Sequence, residues 1–118
     1  MINNILIIDD EIIFCNALRY HLIQKRYDVE VCTSYHEFKN NISIWQFDLV
    51  LLDLNLKDIK GLELLQIILG IRQDLKVIIV SAYLDHKNVL KAKELGAYDC
   101  TSKNSQMFQV LDRIIDTL

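Results

Sequence analysis

The sequence predicts an α/β fold, a single (βα)5 domain with a doubly wound, parallel five-stranded sheet. Short runs rich in Ile, Val and Leu alternate with longer segments of helical spacing. Three of the short runs are apolar on both faces, which is typical of parallel strands that are covered by helices on both sides. The 118 residues are enough for one domain with its own core, and no linker, repeat or low-complexity tract divides them. We therefore expect one domain over residues 1–118.

The strands and helices can be placed from these runs and from capping signals. The predicted strands cover residues 4–8, 28–32, 48–52, 76–80 and the more polar 98–102. The predicted helices cover residues 11–25, 34–44, 61–72, 86–95 and 105–118. Ser34 and Glu37 have the spacing of a capping box at the start of the second helix. Asp85 is expected to cap the fourth helix, and Gly96 to end it in a left-handed turn.

Composition and charge exclude several classes of function. The net charge of −3 leaves no basic footprint for nucleic acid and no polybasic surface for a membrane. No apolar run approaches the ~18 residues of a membrane span, and the N-terminus does not resemble a signal peptide. The three cysteines are odd in number and widely spaced, which suits a reducing compartment. We therefore expect a cytoplasmic protein whose own domain contacts neither nucleic acid nor membrane.

Polar side chains end four of the predicted strands. Asp9 and Asp10 follow the first strand, Asp53 the third, Ser81 the fourth, and Lys103 lies just after the fifth. Taken singly, the Asp9-Asp10 pair could cap a helix and Asp53 could be a polar strand end. In a doubly wound sheet, however, all of these ends meet at one rim, where such folds place their sites.

The chemistry of this rim favours a hard cation. Adjacent like charges about 4 Å apart repel by roughly 4 kcal/mol at an effective dielectric constant of ~20, so the acids Asp9, Asp10 and Glu11 need a compensating charge. Carboxylates without a nearby Cys or His suit Mg²⁺ better than zinc, and the three histidines are scattered. A metal beside a carboxylate also permits phosphoryl transfer onto it, with Asp53 as the nucleophile.

The chain resembles the receiver domain of bacterial two-component response regulators. The resemblance runs from "ILIIDDE" through "LVLLDLNLKDIKG", "VIIVSA" and "GAYDCTSKN" to the last helix. It implies a flavodoxin-like strand order 2-1-3-4-5. It also implies that Asp53 is the phosphoacceptor, and that Ser81 and Lys103 contact the phosphoryl group.

The resemblance implies a metal site as well. Asp10 would bind Mg²⁺ directly and Asp9 mainly through water, while Asp53 and the backbone carbonyl of Asn55 would complete the protein ligands. The family's functions would follow: a histidine kinase or phosphotransfer protein donates the phosphoryl group, and the charge change biases a two-state surface. No catalytic turnover beyond self-phosphorylation and self-dephosphorylation is expected. The resemblance leaves open an output domain beyond residue 118 and a dimer through the fourth helix, fifth strand and fifth helix.

Three departures from the family pattern are visible. Cys100 stands where the family usually has Tyr or Phe, Asn104 stands where it often has a proline, and the fifth strand reads Asp-Cys-Thr-Ser, which is more polar than usual. Cys100 and the polar fifth strand favour a phosphorylation-independent binding module, whereas the missing proline argues little, and the complete set of acids, hydroxyl and lysine favours the phosphorylated switch. A Mg²⁺-dependent phosphatase with an aspartyl-phosphate intermediate is the second alternative. Such enzymes usually carry an acid two residues after the nucleophile, where this chain has Asn55, which cannot protonate a leaving group.

Overall fold

The structure, a computed structural model, describes all residues 1–118 as five strands and five helices in strict alternation. In chain order the elements are β1 (Asn4–Ile8), α1 (Ile12–Gln24), β2 (Asp28–Cys32), α2 (Tyr35–Asn41), β3 (Leu49–Leu52), α3 (Gly61–Ile71), β4 (Lys76–Ser81), α4 (His86–Glu94), β5 (Asp99–Ser102) and α5 (Met107–Ile115). All strand pairs are parallel, and the sheet order is β2-β1-β3-β4-β5. The predicted architecture and strand order are confirmed.

The sheet separates two hydrophobic cores, as a strand buried on both faces requires. Leu6 and Ile8 of β1 face one side, where they pack among residues of α2, α3 and α4. Ile5 and Ile7 face the other side and pack among residues of α1 and α5. Since successive side chains of a strand alternate between faces, this uninterrupted apolar run fills both cores.

The helix caps follow the predictions made from the sequence. The Ser34 hydroxyl accepts a hydrogen bond from the Glu37 amide at 3.0 Å, and the Glu37 side chain accepts one from the Thr33 amide at 2.8 Å. Asp85 caps α4 by accepting a hydrogen bond from the Asn88 amide at 2.7 Å. Gly96 ends that helix with a φ of 109°, a left-handed conformation that glycine adopts without strain.

Two predicted helices are too long. The second helix was expected to reach residue 44 but ends at Asn41, because Ile42 is extended and Ile44 opens a separate 3-10 turn that buries its side chain. The fifth was expected to cover residues 105–118 but begins at Met107, since the Asn104 side chain holds a turn by accepting the Gln106 amide. No helix in the structure has both the length and the apolar character to cross a membrane.

Candidate functional site

Two buried carboxylates lie side by side at the carboxyl ends of β1 and β3. Asp9 and Asp53 each come directly after a strand, and these two strands are neighbours in the sheet. The Asp53 amide continues the ladder by donating to the Ile8 carbonyl at 3.0 Å, which fixes the register of the two acids. Their exposed fractions are only 2% and 3%. Two carboxylates buried this close need a positive charge near them.

Asp10 joins this pair to form a set of oxygen ligands. One carboxylate oxygen from each of Asp9, Asp10 and Asp53 lies within 4.8 Å of the others. The Asp9 carboxylate also accepts the Glu11 amide at 3.0 Å, and Asp53 accepts the Asn55 amide at 3.3 Å. The Asp10 carboxylate has no hydrogen-bond or ion-pair partner within the protein. An all-oxygen, all-anionic set of this size fits a hard divalent cation such as Mg²⁺, and not a soft metal.

Lys103 supplies the positive charge that the protein itself brings to the rim. Its ammonium group donates to Asp9 Oδ2 at 2.8 Å and to Glu11 Oε1 at 2.6 Å, and it lies 3.5 Å from Asp53 Oδ2. The Lys103 amide donates to the Ser81 carbonyl at 2.9 Å, so the end of the β4–β5 ladder positions this side chain. The Nζ atom also lies 4.3 Å from the centre of the Phe14 ring, within range of a cation–π contact.

The pKa values of Asp9 and Lys103 are both shifted. Burial raises the pKa of Asp9 and the charge of Asp53 adds to this, while the hydrogen bonds from Lys103 and from the Glu11 amide oppose it. For Lys103, burial would lower the pKa, but the hydrogen bonds to Asp9 and Glu11 and the charge of Asp53 outweigh burial and raise it. The lysine is therefore charged throughout the neutral range. This single ammonium group is outnumbered by the carboxylates around it.

Ser81 completes the set predicted from the sequence. It is the last residue of β4 and fully buried. Its hydroxyl accepts a hydrogen bond from the Asn55 side-chain amide at 3.1 Å. The sequence assigned Asn55 only a backbone role, so this link between the β3–α3 loop and β4 is an addition. All five predicted side chains, and Asn55, thus lie at the same rim.

The loop after Asp53 is held close to the strand by Gly61. The Gly61 amide donates to the Leu54 carbonyl at 3.0 Å. A Cβ at position 61 would lie 2.3 Å from Leu54 Cα and 2.7 Å from the Asp53 carbonyl oxygen, so only glycine fits there. Asp58, further along the loop, accepts the Tyr35 and His36 amides at 3.0 Å each and so ties the loop to the start of α2. Both contacts hold the β3–α3 loop against the rest of the fold.

Three contacts near this rim could not be predicted from the sequence. The Glu11–Lys103 ion pair, the Asn55–Ser81 hydrogen bond and the Asp58 cap each join residues from different elements. The acidity of Glu11 was visible beside Asp9 and Asp10, but its partner lies far along the chain. Only the packing of α1 against the loop after β5 brings the two together.

Comparison with known proteins identifies the family. The family model described as "Response regulator receiver domain" matches residues 5–115. The chain is 30% identical over 110 residues to the regulatory protein VanRB of Enterococcus faecalis, which covers 93% of this chain and 50% of VanRB. The chain thus spans about half the length of that relative.

Solved structures agree in fold. The non-phosphorylated HemR receiver domain of Leptospira biflexa is 31% identical, with a TM-score of 0.87 over 96% of this chain and 94% of that one. The BeF3-activated receiver domain of DrrB, a Thermotoga maritima protein, is 26% identical, with a TM-score of 0.81 over 98% of this chain and 99% of that one. With the family model covering nearly the whole chain, this protein belongs to the response regulator receiver domains of two-component systems.

Proposed function

We propose that the chain, residues 1–118, is one receiver domain in which Asp53 accepts a phosphoryl group with Mg²⁺ as cofactor. The observation that carries the proposal is the meeting of three carboxylates and one ammonium group at a single buried rim. Asp9, Asp10, Asp53 and the backbone carbonyl of Asn55 would hold the Mg²⁺. The bound cation would supply positive charge against the phosphoryl oxygens as negative charge develops on them.

In the proposed transfer, Asp53 is the nucleophile and a phosphohistidine is the donor. An Asp53 carboxylate oxygen attacks the phosphorus atom, a P–O bond forms, and the P–N bond of the donor phosphohistidine breaks. The electron pair of that bond stays on the imidazole nitrogen, and the ring leaves as neutral imidazole because its other nitrogen carries a proton. Lys103 and Ser81 would donate hydrogen bonds to phosphoryl oxygens. The Ser81 hydroxyl only accepts from Asn55, so its own hydrogen is available for this contact.

The partners follow from this chemistry and from the relatives. The donor would be a histidine kinase or a phosphotransfer protein. Since the chain spans half the length of VanRB, an output domain beyond residue 118 is part of the proposal. Phosphorylation would favour one of two conformations of the protein surface. The populations would shift only as far as the phosphoryl group stabilises that conformation more than the other. A dimer through α4, β5 and α5 stays a prediction.

Among the alternatives, the phosphorylated switch has the most support. The aspartyl-phosphate phosphatase needs an acid two residues after Asp53, and the Asn55 side chain there is an amide that bonds Ser81. A phosphorylation-independent module would not need Lys103 placed against Asp9 and Asp53. Cys100, at the position of the family aromatic, is half-buried against the core. Signal relay would therefore not use an aromatic at this position.

Intact-mass measurement after incubation with acetyl phosphate tests the proposal. The wild type should gain one phosphoryl group only when Mg²⁺ is present, and Asp53→Asn should gain none. Asp48→Asn is the matched control, because Asp48 lies at the opposite end of β3 and should leave phosphorylation intact. Absence of an adduct in the wild type, together with absence of beryllofluoride binding, would contradict the proposal and favour the phosphorylation-independent module.

A further inference from the structure

Glu11 makes the shortest contact to Lys103, although it is neither one of the three clustered aspartates nor the proposed phosphoacceptor. Its Oε1 lies 2.6 Å from Lys103 Nζ, against 2.8 Å for Asp9 and 3.5 Å for Asp53. The pair spans the rim from the start of α1 to the loop after β5. An ammonium group has three N–H donors, and here three carboxylates surround them.

The two members of this pair differ in their contact with water. The Lys103 side chain is only 8% exposed, whereas that of Glu11 is 59% exposed. When the pair separates, Glu11 recovers its hydration at little cost, while the buried Lys103 keeps Asp9 and Asp53 and can take another anion in place of Glu11. Another anion can therefore replace Glu11 at Lys103 more easily than it could replace one member of a fully buried ion pair.

A phosphoryl group on Asp53 would be that other anion. It brings about two negative charges at neutral pH and three strong acceptor oxygens next to the present position of Nζ. The Lys103 side chain, already 3.5 Å from Asp53 Oδ2, could reach those oxygens with a small movement. Donating an N–H to those oxygens would come at the expense of the Glu11 contact, because the three donors of Nζ already face three carboxylates.

We infer that Glu11 competes with the phosphoryl group for Lys103, so that Glu11 acts as a positioning residue that limits the stability of the phosphorylated state. This inference rests on the proposed function. It predicts that a variant without the Glu11 charge binds a phosphoryl mimic more tightly, provided that Lys103 is present. If Glu11 acted only by electrostatic repulsion of the bound anion, removing its charge would raise the affinity for the mimic whether or not Lys103 is present.

A double-mutant cycle with beryllofluoride separates these two effects. The affinity for beryllofluoride is measured by fluorine NMR at Mg²⁺ concentrations that saturate each variant. The four proteins are the wild type, Glu11→Gln, Lys103→Gln and the double variant. Glu30→Gln is the control, since Glu30 is an exposed carboxylate on β2 with no contact to Lys103.

We expect Glu11→Gln to tighten binding about fivefold in the wild-type background, which corresponds to roughly 1 kcal/mol. The same change should have little effect in the Lys103→Gln background, and Glu30→Gln should have little effect in either. An equal gain in both backgrounds, or no gain with Lys103 present, would overturn the inference. If the wild type itself binds no beryllofluoride, the proposed function fails, and the competition fails with it.

The ammonium group of Lys103 gives a readout that a structural role of Glu11 would not move. In nitrogen-labelled protein without Mg²⁺ or beryllofluoride, the Nζ protons of a lysine held by Glu11 should exchange slowly with water. Glu11→Gln should speed that exchange, while the backbone amide spectrum away from the rim stays unchanged. Unchanged exchange would show that Glu11 does not hold Lys103.

Discussion

Two aspartates at opposite ends of β3 have opposite surroundings. Asp48, just before the strand, has its carboxylate satisfied by the amides of Asn4 and Asn3, each at 2.9 Å. The Asn4 hydrogen bond, with that from Asn3, lowers the pKa of Asp48 below its usual value despite partial burial. Asp53, just after the strand, is buried beside Asp9 and shares a single ammonium group with it.

The difference separates an acid that builds structure from acids that require a ligand. At the amino end of the sheet, one carboxylate ties the first strand to the third and needs nothing more. At the carboxyl end, four carboxylates lie near a single lysine, which contacts three of them, so the rim carries more acidic than basic groups. The residues at this rim are Asp9, Asp10, Glu11, Asp53 and Lys103. Such an imbalance disfavours the metal-free rim, and the proposed Mg²⁺ would relieve it.

The largest expected effect comes from the glycine that holds the loop at the carboxyl end. Gly61→Ala places a Cβ against backbone atoms of Leu54 and Asp53, where no flexible side chain can yield. We expect a loss of about 3 kcal/mol in the free energy of unfolding, measured by urea denaturation.

The second glycine of the same helix is the matched control. Position 70 has no atom within 4 Å of an added Cβ, so Gly70→Ala should stabilise the protein by about 0.5 kcal/mol through helix propensity. Similar losses for the two variants would refute the claim that close packing at the rim, rather than glycine in general, is required.

The hydrogen bonds of Asp48 at the amino end of β3 should contribute less to the free energy of unfolding than the close packing at Gly61. Asp48→Asn weakens two hydrogen bonds to backbone amides and should cost about 2 kcal/mol in unfolding free energy at pH 7. Because the folded-state pKa of Asp48 is lowered, this contribution is complete above the unfolded-state pKa and disappears as the pH falls through the folded-state value. The wild type and Asp48→Asn should therefore converge in stability at acidic pH. A gap that stays constant down to the lowest pH would mean that the charge of Asp48 is irrelevant.

A smaller effect should appear when the competing lysine is removed from the rim. Lys103 contacts Asp9 and Asp53, two of the carboxylates that a cation would use. Lys103→Gln should therefore bind Mg²⁺ about tenfold more tightly by isothermal titration calorimetry, which corresponds to roughly 1.4 kcal/mol. Lys76→Gln, on β4 at the other end of the sheet, should leave the affinity unchanged. Weaker binding by Lys103→Gln would show that the lysine assembles the metal site.

Strong local signals made most of this molecule predictable. Apolar runs placed the strands, and the acids directly after them had to meet at one rim because parallel strands end together. Helix ends were less predictable, since Ile42 and Ile44 fit a helical pattern but serve the core better as an extended residue and a 3-10 turn. The partners of Glu11 and Asp58 could not be predicted, because those contacts depend on how separate elements pack.

Asp10 offers the most direct test that the rim requires a cation. Its carboxylate is a proposed metal ligand without a partner in the protein, so its charge should only destabilise the metal-free fold. The measurement is the free energy of unfolding of the wild type and Asp10→Asn, each with and without Mg²⁺. We predict that Asp10→Asn is at least as stable as the wild type without Mg²⁺, and that Mg²⁺ stabilises only the wild type appreciably. A variant that is less stable without Mg²⁺ and gains as much from it as the wild type would contradict this account.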